Sequence, residues 1–500
     1  MRLAGHEWDP AVTKVQIALA KVLAAAKDGD GKAASAATAL LLRQPVPPRA
    51  VAMIIDAVVN LDDRDFAAVA ARLAILADLP PPMRVNAAWR LALAGFTAEA
   101  MATLLADPQM LTEPRFVLRS IVVLREVRGR GTPGALVTDQ AAALLRRLLP
   151  AEDPPFVASP HVFGGETDDA PRMPGDPVVL HAAPDLPEIL LTDTEAAIAT
   201  FERLAKAAKP PEVRMLTDVF VNRTGQIWNR EGRVFRAYNK VISPESRAAE
   251  ATAPEIADAA LATETHNNIF HWFAEWFPAL AWRLGGAGGD VPILVRDDAA
   301  RYVRESLELG ADRPIPIETA GDAVFVRRLH LADTRLVLLA RRGLAAPLYA
   351  RVRDRAKART QAFTPRPVYI SRRDTPRRPL VNELELEAAL RSRGFDILTM
   401  SSLPFAEQIA RIDAADTVVG AHGAGFTLLA AASPGRDVVE IVPAVRGDMP
   451  NRVNMANISR MAGHRHHLWL ERMPAANGGK WSAPLEPVLA LIDRLREGRP

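Results

Sequence analysis

The sequence predicts an α/β protein with two Rossmann-like domains facing a cleft, preceded by an all-α helical domain. Three observations support this. Residues 11–149 are rich in Ala, Leu and Val at helical spacing. From residue 178 onward, short β-branched runs alternate with amphipathic stretches, the pattern of a parallel sheet. An Arg-rich joint, ARVRDRAKARTQAFTPRP, divides that part into two halves. The predicted boundaries are 1–150 for the helical domain, 151–177 for a linker, and 178–360 and 361–500 for the two Rossmann-like domains.

The helical part is punctuated at KDGDGK, RQPVPPR, ADLPPPMR and GRGTPG. Breaks of this kind suit helical-hairpin repeats of the tetratricopeptide or HEAT kind, and an irregular helical domain equally well. The linker, LPAEDPPFVASPHVFGGETDDAPRMPGDP, is named for its Pro and Gly content. Beyond it, VVLHA reads as a strand and EAAIATFERLAKAA as a helix. VRMLTDVFVNRTGQIWNREGRVFRAY reads as two or three strands turning at Gly225 and Gly232. NNIFHWFAEWFPALAWRLGG predicts one aromatic-rich helix stopped by glycines.

The last third alternates more regularly. PVYISRR, FDILTM, DTVVGA, DVVEIVP and HRHHLWL read as strands; LVNELELEAALRSRG, PFAEQIARIDAA, GFTLLAAAS and PLEPVLALIDRLREG read as helices. Short βα connections imply right-handed crossovers and a ligand at the carboxyl ends of the strands.

Composition excludes several classes of function. The 62 basic and 59 acidic residues nearly cancel, so no global field points to nucleic acid. With no cysteine, disulfides, thiolate nucleophiles and cysteine zinc sites are all absent. No Gly-x-Ser-x-Gly elbow or Walker loop supports a hydrolase or an ATPase. The N-terminus lacks a signal-type apolar region and no window is apolar enough to span a bilayer. The expectation is a soluble cytoplasmic protein, peripheral at the inner membrane through a partner.

The most informative stretch is VVGAHGAGF, Val418 to Phe426, a glycine-rich turn between a predicted strand and a predicted helix. Gly420, Gly423 and Gly425 would permit positive φ and close backbone approach. The helix start would offer N–H groups to an anion. His422 adds a polar group able to carry charge. The spacing is not GxGxxG, which disfavours a nicotinamide dinucleotide. Glu440, fifteen residues past Gly425, can accept hydrogen bonds from ribose hydroxyls or pair with an arginine. Arg372 and Arg373, at the end of the YIS strand, bring guanidinium groups to the same sheet edge. Together these elements suggest a nucleoside diphosphate.

Residues 368–443 resemble the core of glycosyltransferase family 61. They carry that family's Ile-Ser-Arg strand, an Arg followed by an Asn-Glu pair, an aromatic-x-Glu-Gln helix, a Gly-x-His-Gly-Ala turn, and a Glu in the next strand. NNIFHWFAEWFPAL, Asn267 to Leu280, extends the likeness. The chain departs from the pattern at Thr427 and Leu428, where relatives usually have Thr-Asn and an aromatic, and residues 1–150 lie outside it.

The resemblance implies a GT-B fold, an acceptor-side domain at 178–360, and a nucleotide-sugar-binding domain at 361–500. It also implies a UDP-sugar co-substrate, inversion at the anomeric carbon, and a glycan or lipid-linked saccharide acceptor of capsule or lipopolysaccharide type. Inverting transfer needs a base and a positively charged leaving-group site. His271 and Glu275, at i and i+4, are the candidate catalytic pair. Donor binding is expected from Arg372, Arg378, Glu407, His422, Gly423, Ala424, Gly425 and Glu440. Glu407 could instead serve its helix dipole, and Asn382 and Glu383 could brace the arginine loop. No cofactor is expected, and divalent metal dependence is disfavoured: Asp297 and Asp298 suit a helix cap, and His464, His466 and His467 suit a strand with one polar face. The rival readings are a scaffold with a nucleotide-sensing body, recruiting a protein partner through its helical domain, and a nicotinamide oxidoreductase.

Overall fold

The computed structural model describes residues 10–497, apart from 62, 78, 113, 131–135, 149–152, 164–175, 210, 238–240, 264–267, 287, 333, 335, 337, 338, 340, 341, 376, 377 and 474–479. Eight helices, α1–α8, lie between Pro10 and Leu148, with no strand among the described residues there. The proline clusters start helices as well as ending them. Pro48 and Pro81 stand in the first turn, where a missing N–H is harmless. Asp30 and Asp63 cap other helices by accepting from the amides of Ala33 and Phe66. The apolar faces close a core of their own around Val22, Ile54, Phe66, Leu91, Leu104 and Leu124, all fully buried. No described helix is long and apolar enough to cross a membrane.

The predicted linker falls partly outside the described residues. Where it is described, it is not a tether. β1 (Val157–Ala158) pairs antiparallel with β3 (Val213–Val221), and Phe163 is buried in the following core.

The first sheet continues with β4 (Ile227–Asn229), β5 (Val234–Arg236), β6 (Glu255–Leu261), β7 (Ile293–Arg296), β8 (Ile317–Ala320) and β9 (Val324–Ala332), in the order β5-β4-β3-β9-β6-β7-β8. β9, β6, β7 and β8 run parallel, whereas β3, β4 and β5 are antiparallel. The half expected to be Rossmann-like is thus built on a mixed sheet. The tight turns at Gly225 and Gly232, with φ of 74° and 82°, leave no chain for a crossover.

The second sheet is parallel throughout: β11 (Asp396–Leu398), β10 (Val368–Ile370), β12 (Thr417–Ala421), β13 (Asp437–Ala444), β14 (Arg465–Arg472) and β2 (Val179–Ala182), in that order. β13 is buried at every position, as a central parallel strand is, and carries two charged residues, Asp437 and Glu440, into the interior. α16 (Glu383–Arg391) and α20 (Leu485–Glu497) cover one face through Leu386, Leu390, Val488 and Ile492. The other face carries α17 (Phe405–Ala414), α18 (Met449–Arg452), α19 (Asn454–Met461) and α9 (Glu188–Lys206). β2 and α9 therefore belong with this sheet and not with the rest of 178–360: their apolar residues complete its edge, and Glu202 pairs with Arg460 at 2.6 Å.

The two sheets share one apolar core, which runs from Val219, Trp272 and Phe273 to Phe405, Val418 and Phe426. The first half of the Arg-rich joint is the end of a helix, α15 (Arg342–Ala358), whose Arg351 donates to the Gly310 carbonyl at 2.7 Å, where α14 (Arg301–Gly310) ends. The helical region meets the second sheet after β13. There the Arg446 guanidinium lies 5.4 Å from the Phe96 ring centre, and Gly447 is pressed against the Leu93 carbonyl.

Candidate functional site

Strand order in the second sheet reverses at β10: β11 lies on one side, and β12, β13 and β14 on the other. Chains leaving the carboxyl ends of β10 and β12 diverge, which opens a ligand crevice at this switch point. Arg372 follows β10, and His422 to Gly425 follow β12.

The glycines of the turn serve contact, not left-handed backbone. Gly420, Gly423 and Gly425 have no positive φ, and Gly423 is extended at −174°. A side chain at Gly420 would press on Phe426 and the Ile370 carbonyl, one at Gly425 on Ile370, and one at Gly423 on the Arg372 guanidinium. Arg372 thus lies directly on the turn. The element that begins at Ala424 is a 3₁₀ helix, Ala424–Ala431, in place of the expected α-helix.

Buried carboxylates hold the arginine loop. Glu383 Oε1 accepts from the Arg372 amide at 3.0 Å and the Tyr369 hydroxyl at 2.7 Å. Glu387 Oε1 accepts from the Ser371 hydroxyl and from Arg373 Nε, each at 2.8 Å. Arg373 is therefore tied back to α16. Burial lowers the proton affinity of Arg372, with Arg452 adding to the effect and Glu383 and Asp374 opposing it. Arg378 sits at a φ of 52°, a strained conformation for a non-glycine residue, and its carbonyl accepts from the Trp481 indole at 3.2 Å.

On the other side, Glu440 joins two histidines. Its Oε1 accepts from His422 Nδ1 at 2.7 Å and its Oε2 from His466 Nε2 at 3.1 Å. Glu440 and His466 are fully buried, and His422 is 6% exposed. Glu440 thus does not present itself to a ribose: a carboxylate in the interior needs hydrogen-bond partners, and the two imidazoles supply them. Burial drives His422 down to about 4, against the pull of Glu440 and with help from Arg452 and Arg378. It drives His466 to about 3, with Arg460 contributing, and raises Glu440. His422 is accordingly neutral near pH 7, and the positive charge around the turn belongs to the arginines.

Arg452 was not singled out by any motif. It ends α18, is 5% exposed, and donates through Nε to Asp448 at 2.7 Å. Its buried Nη1 has no hydrogen-bond partner among the described residues, a costly state unless a ligand or water takes that donor. An Asp and an Arg at i and i+4 were the only local signal.

His271 and Glu275 make the expected contact, Nδ1 to Oε2 at 2.8 Å, with side chains 32% and 24% exposed. Their helix is not continuous. α11 (Ile269–His271) passes into a π turn, Trp272–Trp276, then α12 (Phe277–Ala279) and α13 (Ala281–Leu284). Pro278 has no N–H for an i→i−4 bond, and the Phe277 amide bonds the Trp272 carbonyl in the wider pattern. α11 and the π turn pack on the 3₁₀ helix Ala424–Ala431, so touching elements carry His271 and the glycine turn.

Glu407 lies in the first turn of α17. It pairs with Arg411 at 2.7 Å, and Arg411 lies over Phe363, ahead of β10 and toward the opposite sheet edge. His464, His466 and His467 have three separate partners: the Leu429 carbonyl, Glu440 and His181.

Residues 269–439 match the Glycosyltransferase 61 family model. This segment is similar to a glycosyltransferase 61 domain. The domain match runs from α11 to β13 and stops one residue short of Glu440, so Arg452 and His466 lie beyond it. No curated protein matches the chain.

Proposed function

We propose that the chain is an inverting glycosyltransferase of GT-B arrangement, moving a sugar from a UDP-linked donor to a glycan or lipid-linked saccharide acceptor. The observation that carries this reading is the meeting of Arg372 with Gly423 at the switch point of a segment similar to a glycosyltransferase 61 domain. Arg372, Arg378 and Arg452 hold the diphosphate and stabilise it as it departs. The bare Gly423 and Gly425 let it approach the backbone. With Nδ1 donating to Glu440, the Nε2 of neutral His422 is an acceptor, suited to a sugar or ribose hydroxyl and not to a phosphate oxygen.

His271 is the base. Its Nδ1 faces Glu275, which fixes the tautomer, and Nε2 takes the proton of the acceptor hydroxyl as that oxygen attacks the anomeric carbon. The UDP-sugar bond breaks on the opposite face, and the electron pair leaves on the diphosphate. A capsule or lipopolysaccharide acceptor at the cytoplasmic side of the inner membrane, with the helical region engaging a protein partner, completes the reading.

Calorimetric titration with UDP, GDP, CDP and NAD tests it. UDP should bind selectively, and Arg372→Ala and Arg452→Ala should each weaken it by roughly 10- to 100-fold, the range for a lost charged hydrogen bond. Folded protein that binds no UDP removes the reading. UDP binding with no transfer from any UDP-sugar leaves the nucleotide-sensing scaffold in its place.

A further inference from the structure

The eight N-terminal helices stack as four hairpins, α1–α2, α3–α4, α5–α6 and α7–α8. α1, α3, α5 and α7 lie side by side in one layer, and α2, α4, α6 and α8 in the other. Stacking of this kind builds an extended face along each layer.

Charge divides unevenly between the two layers. The first carries eleven Lys or Arg and two carboxylates, Asp56 and Glu126, whereas the second carries five and three. In the first layer Lys14, Lys21, Arg49, Arg119, Arg125 and Arg128 are exposed. Asp56 is already matched by Arg90 at 2.9 Å, so it does not cancel them. A cavity of about 460 Å³ opens on this layer between α3, α5 and α7. Ile55, Met83, Trp89 and the 42% exposed Val122 line it, and Arg119 stands on its wall one turn from Val122.

Apolar walls in a basic surround call for an apolar group carried by an anion. A bilayer takes up apolar side chains that protrude from a helix face. Here the apolar surface is recessed, and a recess receives the anchoring side chain of a peptide. Neighbouring helices pack about 10 Å apart, so the face from α3 to α7 spans about 20 Å, the reach of about six extended residues.

We infer that the layer formed by α1, α3, α5 and α7 is a docking surface for an acidic peptide segment of a partner protein. An apolar side chain of that segment fills the cavity, and the carboxylates beside it meet Arg119 and the surrounding cations. This gives the protein partner of the proposed function its chemistry; it rests on that part of the reading and not on sugar transfer.

The test pans the full chain against a randomised dodecapeptide display library and measures the affinity of the enriched peptide by fluorescence anisotropy. Enriched sequences should place Leu, Phe or Trp among Asp and Glu, and their binding should weaken as salt rises. Arg119→Glu and Val122→Asp, both at exposed positions, should weaken the peptide by about tenfold or more. Arg72→Glu, an exposed reversal in the second layer, should leave its affinity unchanged. No enrichment, enrichment of basic or uncharged peptides, or full affinity in Arg119→Glu overturns the surface. Flotation with phosphatidylglycerol vesicles is run in parallel: vesicle binding lost in both first-layer variants, with no acidic peptide enriched, gives the face to lipid instead. UDP titration of the same proteins keeps the two readings apart. UDP binding without peptide binding removes this surface alone, and peptide binding without UDP binding removes the transferase reading and leaves the surface standing.

Discussion

His422 shows how burial decides what a side chain can do. As an isolated residue it offers a charge near neutral pH. Enclosed with Glu440 and His466, and flanked by Arg378 and Arg452, it holds a proton only below about 4. The consequence for stability has a definite sign. An unfolded histidine titrates near 6.5, so as pH falls from there toward 4 the unfolded chain takes up protons that folded His422 and His466 refuse. Stability is complete above pH 6.5 and is lost through that window. Urea midpoints should drop clearly between pH 7 and pH 5; an unchanged midpoint would contradict neutral, buried histidines. Arg372, His422 and Gly423 were legible in the sequence because each stands in a contiguous motif at a strand end. The role of Glu440 was not, because its second partner, His466, arrives from a neighbouring strand. Arg452 was hidden for a similar reason: only the packing of α18 carries it to the turn.

At the level of elements, the aromatic helix was the main misreading. Apolar spacing alone hardly separates one continuous α-helix from a helix with a π turn, because both bury Trp272, Phe273 and Trp276. Pro278 was the signal available. The π turn sets the phase of His271 and Glu275 against the residues that follow, so Pro278→Ala, which restores an N–H, favours regular α winding. Turnover should fall by roughly tenfold or more, since small misplacements of catalytic groups are costly, while UDP affinity stays near wild type. Equal turnover would show that the π turn has no part in placing the base. The strands of the last third were read correctly because short apolar runs alternate there with clear helix signals. The glycine turn was located, but its small apolar sequel does not distinguish α from 3₁₀ winding.

Across the whole molecule, the helical region and the second sheet are linked where Gly447 meets Leu93. Gly447 has a φ of 73° and no room for a β-carbon. Gly447→Val should therefore displace the loop that leads to Arg452. The expected result is a lower unfolding temperature together with weaker UDP binding; a variant with wild-type affinity would show that the contact is architectural only. This contact was invisible in the sequence, as was the destination of β2, because a four-residue strand carries no address for its partner. The helical and α/β textures were legible, since they depend on local periodicity.

The position of β2 also bears on how the protein is made. The ribosome releases β2 and α9 long before β14, their partner, has been synthesised. The edge strand and its covering helix must wait, unpaired, while β3 to β9 of the first sheet emerge. The second sheet therefore closes only after β14 has emerged, and a fragment starting at residue 361 would leave the edge of β14 bare, an invitation to aggregate.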